Sequence, residues 1–339
     1  DVGEFGLIDR LARLVSRDDR DPLRPAPEGP LGIGDDAALW MPALDRPEVL
    51  TTDALVEGVH FKLSTTGWRD LGWKALAENV SDVAAMGARP RRAFVTIGVP
   101  RETRVSDLEE LYRGLRDLAD RFDVAIAGGD TVSSPLVFLS VTVVGEVPNG
   151  ALRRGAGRPG DLLAVTGALG ASAGGLELLE AGLMAAGTPD EQALITAHRR
   201  PGPRVDEAMQ IAAAGVACGL DLSDGLLGDS GKLAYASGIA AVLEWEAIPV
   251  VPALERRFGD RARKMALAGG EDYELLVAGR PEAINRAGQG LAAAGLIGLS
   301  VVGRLIDGLA GRVTVVDRFG EEIATEPGSW DHFAVAGSG

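Results

Sequence analysis

Five short motifs in this 339-residue chain set aspartates beside glycine or a hydroxyl residue. They are G-I-G-D-D-A at 32–37, T-T-D at 51–53, N-V-S-D at 79–82, G-G-D-T at 128–131 and D-L-S-D-G at 221–225. Two follow stretches that read as buried strands, and a third ends a predicted helix. Carboxylates gathered at loop mouths repel one another, so a fold that gathers them needs positive charge there. Hard divalent cations with oxygen ligands meet that need, Mg²⁺ being the usual one where phosphates are handled. The pattern points to metal-assisted phosphate chemistry.

Each motif alone has a plainer reading. Gly32 to Ala37 matches the dinucleotide fingerprint G-x-G-x-x-A, yet it follows a loop with Pro22, Pro25, Pro27 and Pro30 instead of a buried strand. Its acids would also face the pyrophosphate. A metal-binding loop and a solvated turn remain for it. Thr51-Thr52-Asp53 closes an apolar strand, as ligand oxygens or as a side-chain turn. Asp82 lies on a helix among Val80, Val83, Ala84 and Met86, so it is exposed or paired with something positive. Asp130 follows Ile126-Ala-Gly-Gly, which reads as a buried strand ending in a flexible turn. Ser223 or Asp224 suits a helix N-cap. Five recurrences in one chain are harder to explain as caps and turns. Gly228-Asp-Ser-Gly-Lys232 resembles a P-loop fragment, but Leu226 stands where glycine is required and Leu233 where Ser or Thr is, so there is no Walker A motif.

The net charge of −15 argues against nucleic acid or an anionic membrane as partner. One cysteine, Cys218, excludes an intramolecular disulfide, a cysteine zinc site and an iron–sulfur cluster. Three scattered histidines do not make a zinc site by spacing. His60 lies near the T-T-D motif, and His198, beside Arg199 and Arg200, reads as a surface helix-end residue. No basic-then-apolar leader and no apolar run near the roughly 20 residues of a membrane span is evident. The expectation is a soluble, cytoplasmic protein.

At this length two domains are expected. Apolar spacing predicts helices over Phe5–Val15, Asp70–Met86 and Val105–Phe122, Gly/Ala-rich helices to about Ala214, and a helix over Asp224–Ser237. Strands are expected at Ala37–Met41, Val49–Asp53, Arg92–Val99, Asp123–Ala127, Leu136–Val147, Leu162–Thr166, a run into Asp221, Tyr273–Ala278, Ser300–Leu305 and Val313–Asp317. The Val-rich strand Leu136–Val147 would be an edge or surface liability if left uncovered. The mixture lacks a strict βαβ repeat and suggests α+β or mixed α/β layers. The Pro- and Gly-containing stretch Pro148–Asp161, with Arg153, Arg154 and Arg158, reads as a flexible junction.

In this order the motifs resemble those of the thiamine-monophosphate kinases, of the family that includes aminoimidazole-ribonucleotide synthetase. The likeness runs from Gly3-Glu-Phe5 through G-I-G-D-D, T-T-D-A-L-V-E-G-V-H-F, N-V-S-D-V-A-A-M-G-A, G-G-D-T, D-L-S-D-G-L and G-G-E-D-Y-E-L at 269–275 to W-D-H-F at 330–333. It implies two domains. Residues 1–148 would form an α/β domain that binds ATP and Mg²⁺ and dimerises through its sheet, and 149–339 an α+β domain. It implies transfer of the ATP γ-phosphate to thiamine monophosphate. By matching position, Asp36, Thr51, Thr52, Asp53, Asp82, Asp130, Asp221 and Asp224 would hold several Mg²⁺ ions. Tyr112, Gly129, Arg154 and Ser223 would contact ATP, and His60, Glu271 and Trp330 thiamine monophosphate. No general base is implied. The alternatives are another ATP-dependent synthetase of the superfamily, of ribonucleotide or selenophosphate type, and a non-catalytic nucleotide-binding regulator. The selenophosphate type expects a reactive Cys or Sec near the N-terminus, and the hydrogenase-maturation relative a C-terminal cysteine. The chain has neither.

Overall fold

The computed structural model describes residues 3–15, 40–42, 45–183 and 187–325, which fall into two compact units. The first comprises residues 1–151 with 199–209, and the second 152–198 with 210–339.

The first unit is a helical layer on a four-stranded mixed sheet. Its elements are α1 (Gly3–Val15), β1 (Glu48–Val56), α2 (Trp68–Ala85), β2 (Arg89–Val99), α3 (Val105–Phe122), β3 (Ala125–Ser133) and β4 (Phe138–Glu146). The strand order is β1-β4-β2-β3, antiparallel except for the parallel pair β2–β3. The helical signal in α3 is the 3–4 spacing of Leu108, Leu111, Leu115 and Leu118, all buried, with charged residues on the opposite face. Helix α2 has no such polar face. It lies between α3 and the sheet, so Leu71, Leu76 and Val80 are buried, and so are the polar Asn79 and Ser81. Alternation in the strands sends Leu139, Val141 and Val143 of β4 and Ala93, Val95 and Ile97 of β2 into this core.

Two expectations change here. The Val-rich strand β4 is central, paired on both sides, and the edges are β1 and β3. The strand expected to stop at Ala127 continues through the G-G-D-T motif to Ser133. Glycine permits this at position 129, because a Cβ there would lie 1.9 Å from the Val95 carbonyl oxygen of β2. The motif is thus part of the ladder, with Asp130 opposite Thr96. The strand expected at Ala37–Met41 lies partly outside the described residues, and residues 40 and 41 are not in a strand.

The segment 199–209 joins the first unit through named contacts. The Arg199 guanidinium donates to Thr65 O (2.7 Å), Arg200 pairs with Asp70 and lies over the Trp73 ring, and Trp73 Nε1 donates to Pro201 O (2.8 Å).

The second unit holds a six-stranded sheet in the order β10-β7-β9-β5-β8-β6. In chain order its elements are β5 (Leu162–Thr166), α4 (Ala171–Glu180), α5 (Pro189–Arg199, whose last residue falls in the first unit), the end of α6 (Val205–Ala213, of which 205–209 fall in the first unit), β6 (Cys218–Asp221), α7 (Leu226–Ser237), β7 (Ala240–Glu244), α8 (Pro252–Phe258), α9 (Ala262–Ala268), β8 (Leu275–Gly279), α10 (Pro281–Ala293), β9 (Leu299–Ile306) and β10 (Val313–Val316). Pairing is antiparallel except between β10 and β7. Its core gathers Leu163, Val165, Leu220, Leu233, Leu243, Leu276 and Val302. This mixed α/β, two-unit architecture agrees with the expected class. The stretch Pro148–Asp161 contains a short 3-10 turn at Arg154–Ala156 and is pinned, not loose. Arg153 N donates to Ala217 O (2.8 Å), and Ser237 Oγ donates to Arg154 O (2.8 Å). Among the described residues no helix is long and apolar enough to cross a membrane.

Candidate active site

Strand alternation decides which oxygens of the T-T-D motif meet. Thr51 and Asp53 point to the helical side of β1, where α2 passes. Thr51 Oγ1 donates to Asp82 Oδ2 (2.5 Å), and Asn79 Oδ1 accepts from Asp53 N (3.1 Å). Asn79 is itself held by donating from Nδ2 to Ala75 O, one turn earlier in α2. The motifs at 51–53 and 79–82 therefore form one group of two carboxylates and a hydroxyl. Partial burial, followed by the charge of Asp82 and a hydrogen bond with it, pushes the Asp53 carboxyl up to about 6. Desolvation and a like charge both disfavour the anion.

Thr52 points the other way. Its Oγ1 accepts from Thr142 Oγ1 (3.0 Å) on the opposite face of the sheet, so its hydroxyl does not reach the Asp53–Asp82 pair. Asp130 is exposed on β3, with Oδ1 accepting from the next backbone N–H, that of Thr131 (2.8 Å). Tyr112 is 7% exposed, and burial pushes its phenol up to about 12. His60 closes the turn after β1. Val56 N donates to its Nδ1 (3.0 Å), which puts the proton of the neutral ring on Nε2.

In the second unit the D-L-S-D-G and G-G-E-D-Y-E motifs form one double loop. Leu222 N donates to Glu274 O, Tyr273 N to Leu222 O and Glu271 N to Ser223 O, at 2.7–3.0 Å. Asp221, at the end of β6, is buried. Glu271 and Tyr273 have positive φ (65° and 50°), a conformation that costs energy in non-glycine residues and that these backbone bonds maintain. Arg154 presents an exposed side chain from its pinned turn.

Several supports of this loop were given no role by the sequence. Asp229, 1% exposed, accepts from both Ser223 N (3.0 Å) and Asp224 N (2.9 Å) through Oδ2. Lys232 then pairs with Asp229 (2.7 Å) and with Asp224. Asp224 thus already has a cation, one the sequence reading did not assign. The i,i+3 Asp-Lys spacing inside a helix was the available signal. Asp272 accepts from Gly170 N (2.6 Å) and Ser172 N (3.1 Å), capping α4 from a hundred residues away. Burial pushes its carboxyl up to about 7, against those two donors, which favour the anion. Glu274, buried, accepts from Thr166 Oγ1 (2.6 Å). His198 is the plainest correction. It is a buried residue, 5% exposed, at the end of α5, not a surface one.

Asp36 and Trp330 lie outside the described residues. Among the described residues no group of three or more acidic, His or Cys side chains forms a ready metal site. What is present is a carboxylate pair with a hydroxyl in one unit and a lysine-neutralised acidic loop in the other.

Residues 34–147 match the family described as AIR synthase related protein, N-terminal domain, and residues 158–316 its C-terminal domain. The chain is 36% identical to the thiamine-monophosphate kinase of Escherichia coli K12 over 337 residues, covering 98% of each. Among solved structures, the thiamine-monophosphate kinase of Stenotrophomonas maltophilia K279a superposes with a TM-score of 0.80 at 39% identity, over 92% of this chain and 96% of that one. AaThiL complexed with AMPPCP and TMP superposes with a TM-score of 0.76 at 34% identity, over 98% and 97%.

Proposed function

This chain belongs to the thiamine-monophosphate kinase family, and we propose that it transfers the γ-phosphate of ATP to thiamine monophosphate, in line and with Mg²⁺, giving thiamine diphosphate and ADP. The observation that carries the metal part is the Asp53–Asp82 pair. Two carboxylates and a hydroxyl share one place, where desolvation first and the charge of Asp82 second push the Asp53 carboxyl up to about 6. Such an all-oxygen donor set with a charge deficit fits a hard cation. These residues would hold Mg²⁺, which would supply charge neutralisation between two polyanions and help align donor and acceptor.

Thr51, Asp53 and Asp82 are the proposed core of the ligand set, and Asp36 and Asp130 are further proposed ligands. Thr52, with its hydroxyl committed to Thr142, has the weakest geometric support. In the second unit Asp221 and Asp224 are the proposed ligands, Asp224 exchanging Lys232 for metal. Ser223, Arg154, Gly129 and Tyr112 are the proposed ATP contacts. His60, Glu271 and Trp330 are the proposed contacts to thiamine monophosphate, with a carboxylate suited to the aminopyrimidine and an aromatic ring to the cationic thiazolium.

The acceptor is a phosphate monoester with a second pKa of about 6, already largely an anion at neutral pH. No residue need deprotonate it, and His60, neutral with Nδ1 held by backbone, serves binding. The phosphate passes without a phosphoenzyme. A second copy of the chain is proposed to pair with the first unit's sheet. Leu50 of β1 is 68% exposed, and Val132 of β3 is also exposed. Light scattering at micromolar concentration should give twice 35.2 kDa. A fully active, concentration-independent monomer would contradict that pairing. The function itself is tested by coupled ADP release with and without thiamine monophosphate. Release should depend on both acceptor and Mg²⁺, and ADP release indifferent to the acceptor would refute the reading.

A further inference from the structure

Behind the G-G-E-D-Y-E loop, three distant stretches of the second unit meet at one imidazole. His198 Nδ1 lies 3.3 Å from Glu271 Oε2 and 3.0 Å from Ser172 Oγ, the first turn of α4. The seat for His198 exists because α4 and α5 touch closely at Gly175, where a Cβ would stand 2.2 Å from Leu194 O and 2.9 Å from His198 Cβ. With a carboxylate and a hydroxyl both on Nδ1, the arrangement without two facing lone pairs has Nδ1–H as donor. The imidazole is 6% exposed and the Glu271 side chain 29%, so the histidine stands inside and the carboxylate at the surface of the loop. Around it the backbone is already determined. Glu271 N is bonded to Ser223 O, and the adjacent Asp272 is tied to the start of α4. His198 stands beside the long Glu271 side chain, which extends from this fixed backbone.

We propose that His198 is a positioning residue for the acceptor: it holds the Glu271 carboxylate in the orientation that receives the amino group of the aminopyrimidine. This rests on the substrate reading above, in which Glu271 faces thiamine monophosphate. A glutamate otherwise loses its rotamer freedom only on binding, and a preorganised one has lost it beforehand. The effect belongs in substrate binding, because His198 touches neither donor nor acceptor phosphate in this scheme.

The test compares three substitutions in the intact protein. His198→Leu removes the donor, His198→Asn places an amide nitrogen where Nδ1 stood, and His198→Gln carries its amide past that point. We expect Leu and Gln to raise KM for thiamine monophosphate about tenfold, with kcat and KM for ATP within about twofold, and Asn to stay within about threefold of the parent. In a Glu271→Gln background, His198→Gln should change KM by less than about twofold, since residues acting through one another are not additive. The proposal is overturned by an unmoved KM in folded His198→Gln, by equal losses in kcat and both KM values, or by an undiminished effect in the Glu271→Gln background. A parent protein that turns over no thiamine monophosphate overturns the substrate reading itself, an outcome distinct from an active parent whose variants show no shift.

Discussion

Replacing Asp229 by alanine tests whether one buried carboxylate builds the Ser223–Asp224 loop. Asp229 is 1% exposed and accepts two backbone hydrogen bonds, at 3.0 and 2.9 Å, while pairing with Lys232 at 2.7 Å. A hydrogen bond to a charged group contributes about 1.5–3 kcal/mol, so the two together contribute about 3–6 kcal/mol. Opposing this, burial raises the carboxyl's pKa, which means its desolvation already takes back part of the gain. The donors are only part-buried and recover some water, and Lys232 keeps Asp224. A net loss of about 2–3 kcal/mol follows, with Asp229→Asn near about 1 kcal/mol because the amide oxygen still accepts. For a unit of this size that is a fall of roughly 5–10 °C in the transition assigned to the second unit. Differential scanning calorimetry resolves it. A shift under about 2 °C for Asp229→Ala would refute the argument that this carboxylate organises the loop.

Two other outcomes follow from the first unit. In metal-free protein Asp53 titrates at about 6 when folded and near 3.8 when unfolded, so the folded state binds the extra proton between those values. Its contribution is therefore most favourable at low pH and is lost as pH rises through about 6. In EDTA, Asp53→Asn should flatten the fall in Tm between pH 4.5 and 7, and parallel curves for the two proteins would contradict the repulsion argument. Gly129→Ala places a methyl 1.9 Å from Val95 O and should cost about 3 kcal/mol or more by parting β2 from β3. Urea denaturation showing a loss below about 1 kcal/mol would show that the strand can yield there.

The parts of the fold visible in the sequence were those with local periodicity. Leu108 to Phe122 carried the helical spacing of α3, and the Val-rich run Leu136 to Val147 marked β4. Its central place did not show, because strand order depends on partners far along the chain. The glycines at 128 and 129 read as the end of a strand because a sequence reports glycine's freedom, not the backbone of β2 that presses against position 129. Strand β7 and helices α8, α9 and α10 were not read from the sequence at all. The joining of Thr51, Asp53, Asn79 and Asp82 was half visible. The acids stood out, but the buried Asn79 of the same motif received no role in the sequence reading, because its bond to the strand backbone depends on a partner 26 residues away. Asp272 and His198 were the hardest, since each acts on a partner 73 to 102 residues away and such a pairing leaves no local spacing to read.

The central claim is direct phosphate transfer between two bound anions, and its most direct measurement follows the phosphorus itself. ATP made chiral at the γ-phosphate should deliver its label to the terminal phosphate of thiamine diphosphate, one per ADP, with inverted configuration. Retention of configuration, or a labelled aspartate or histidine trapped from ATP alone, would contradict it.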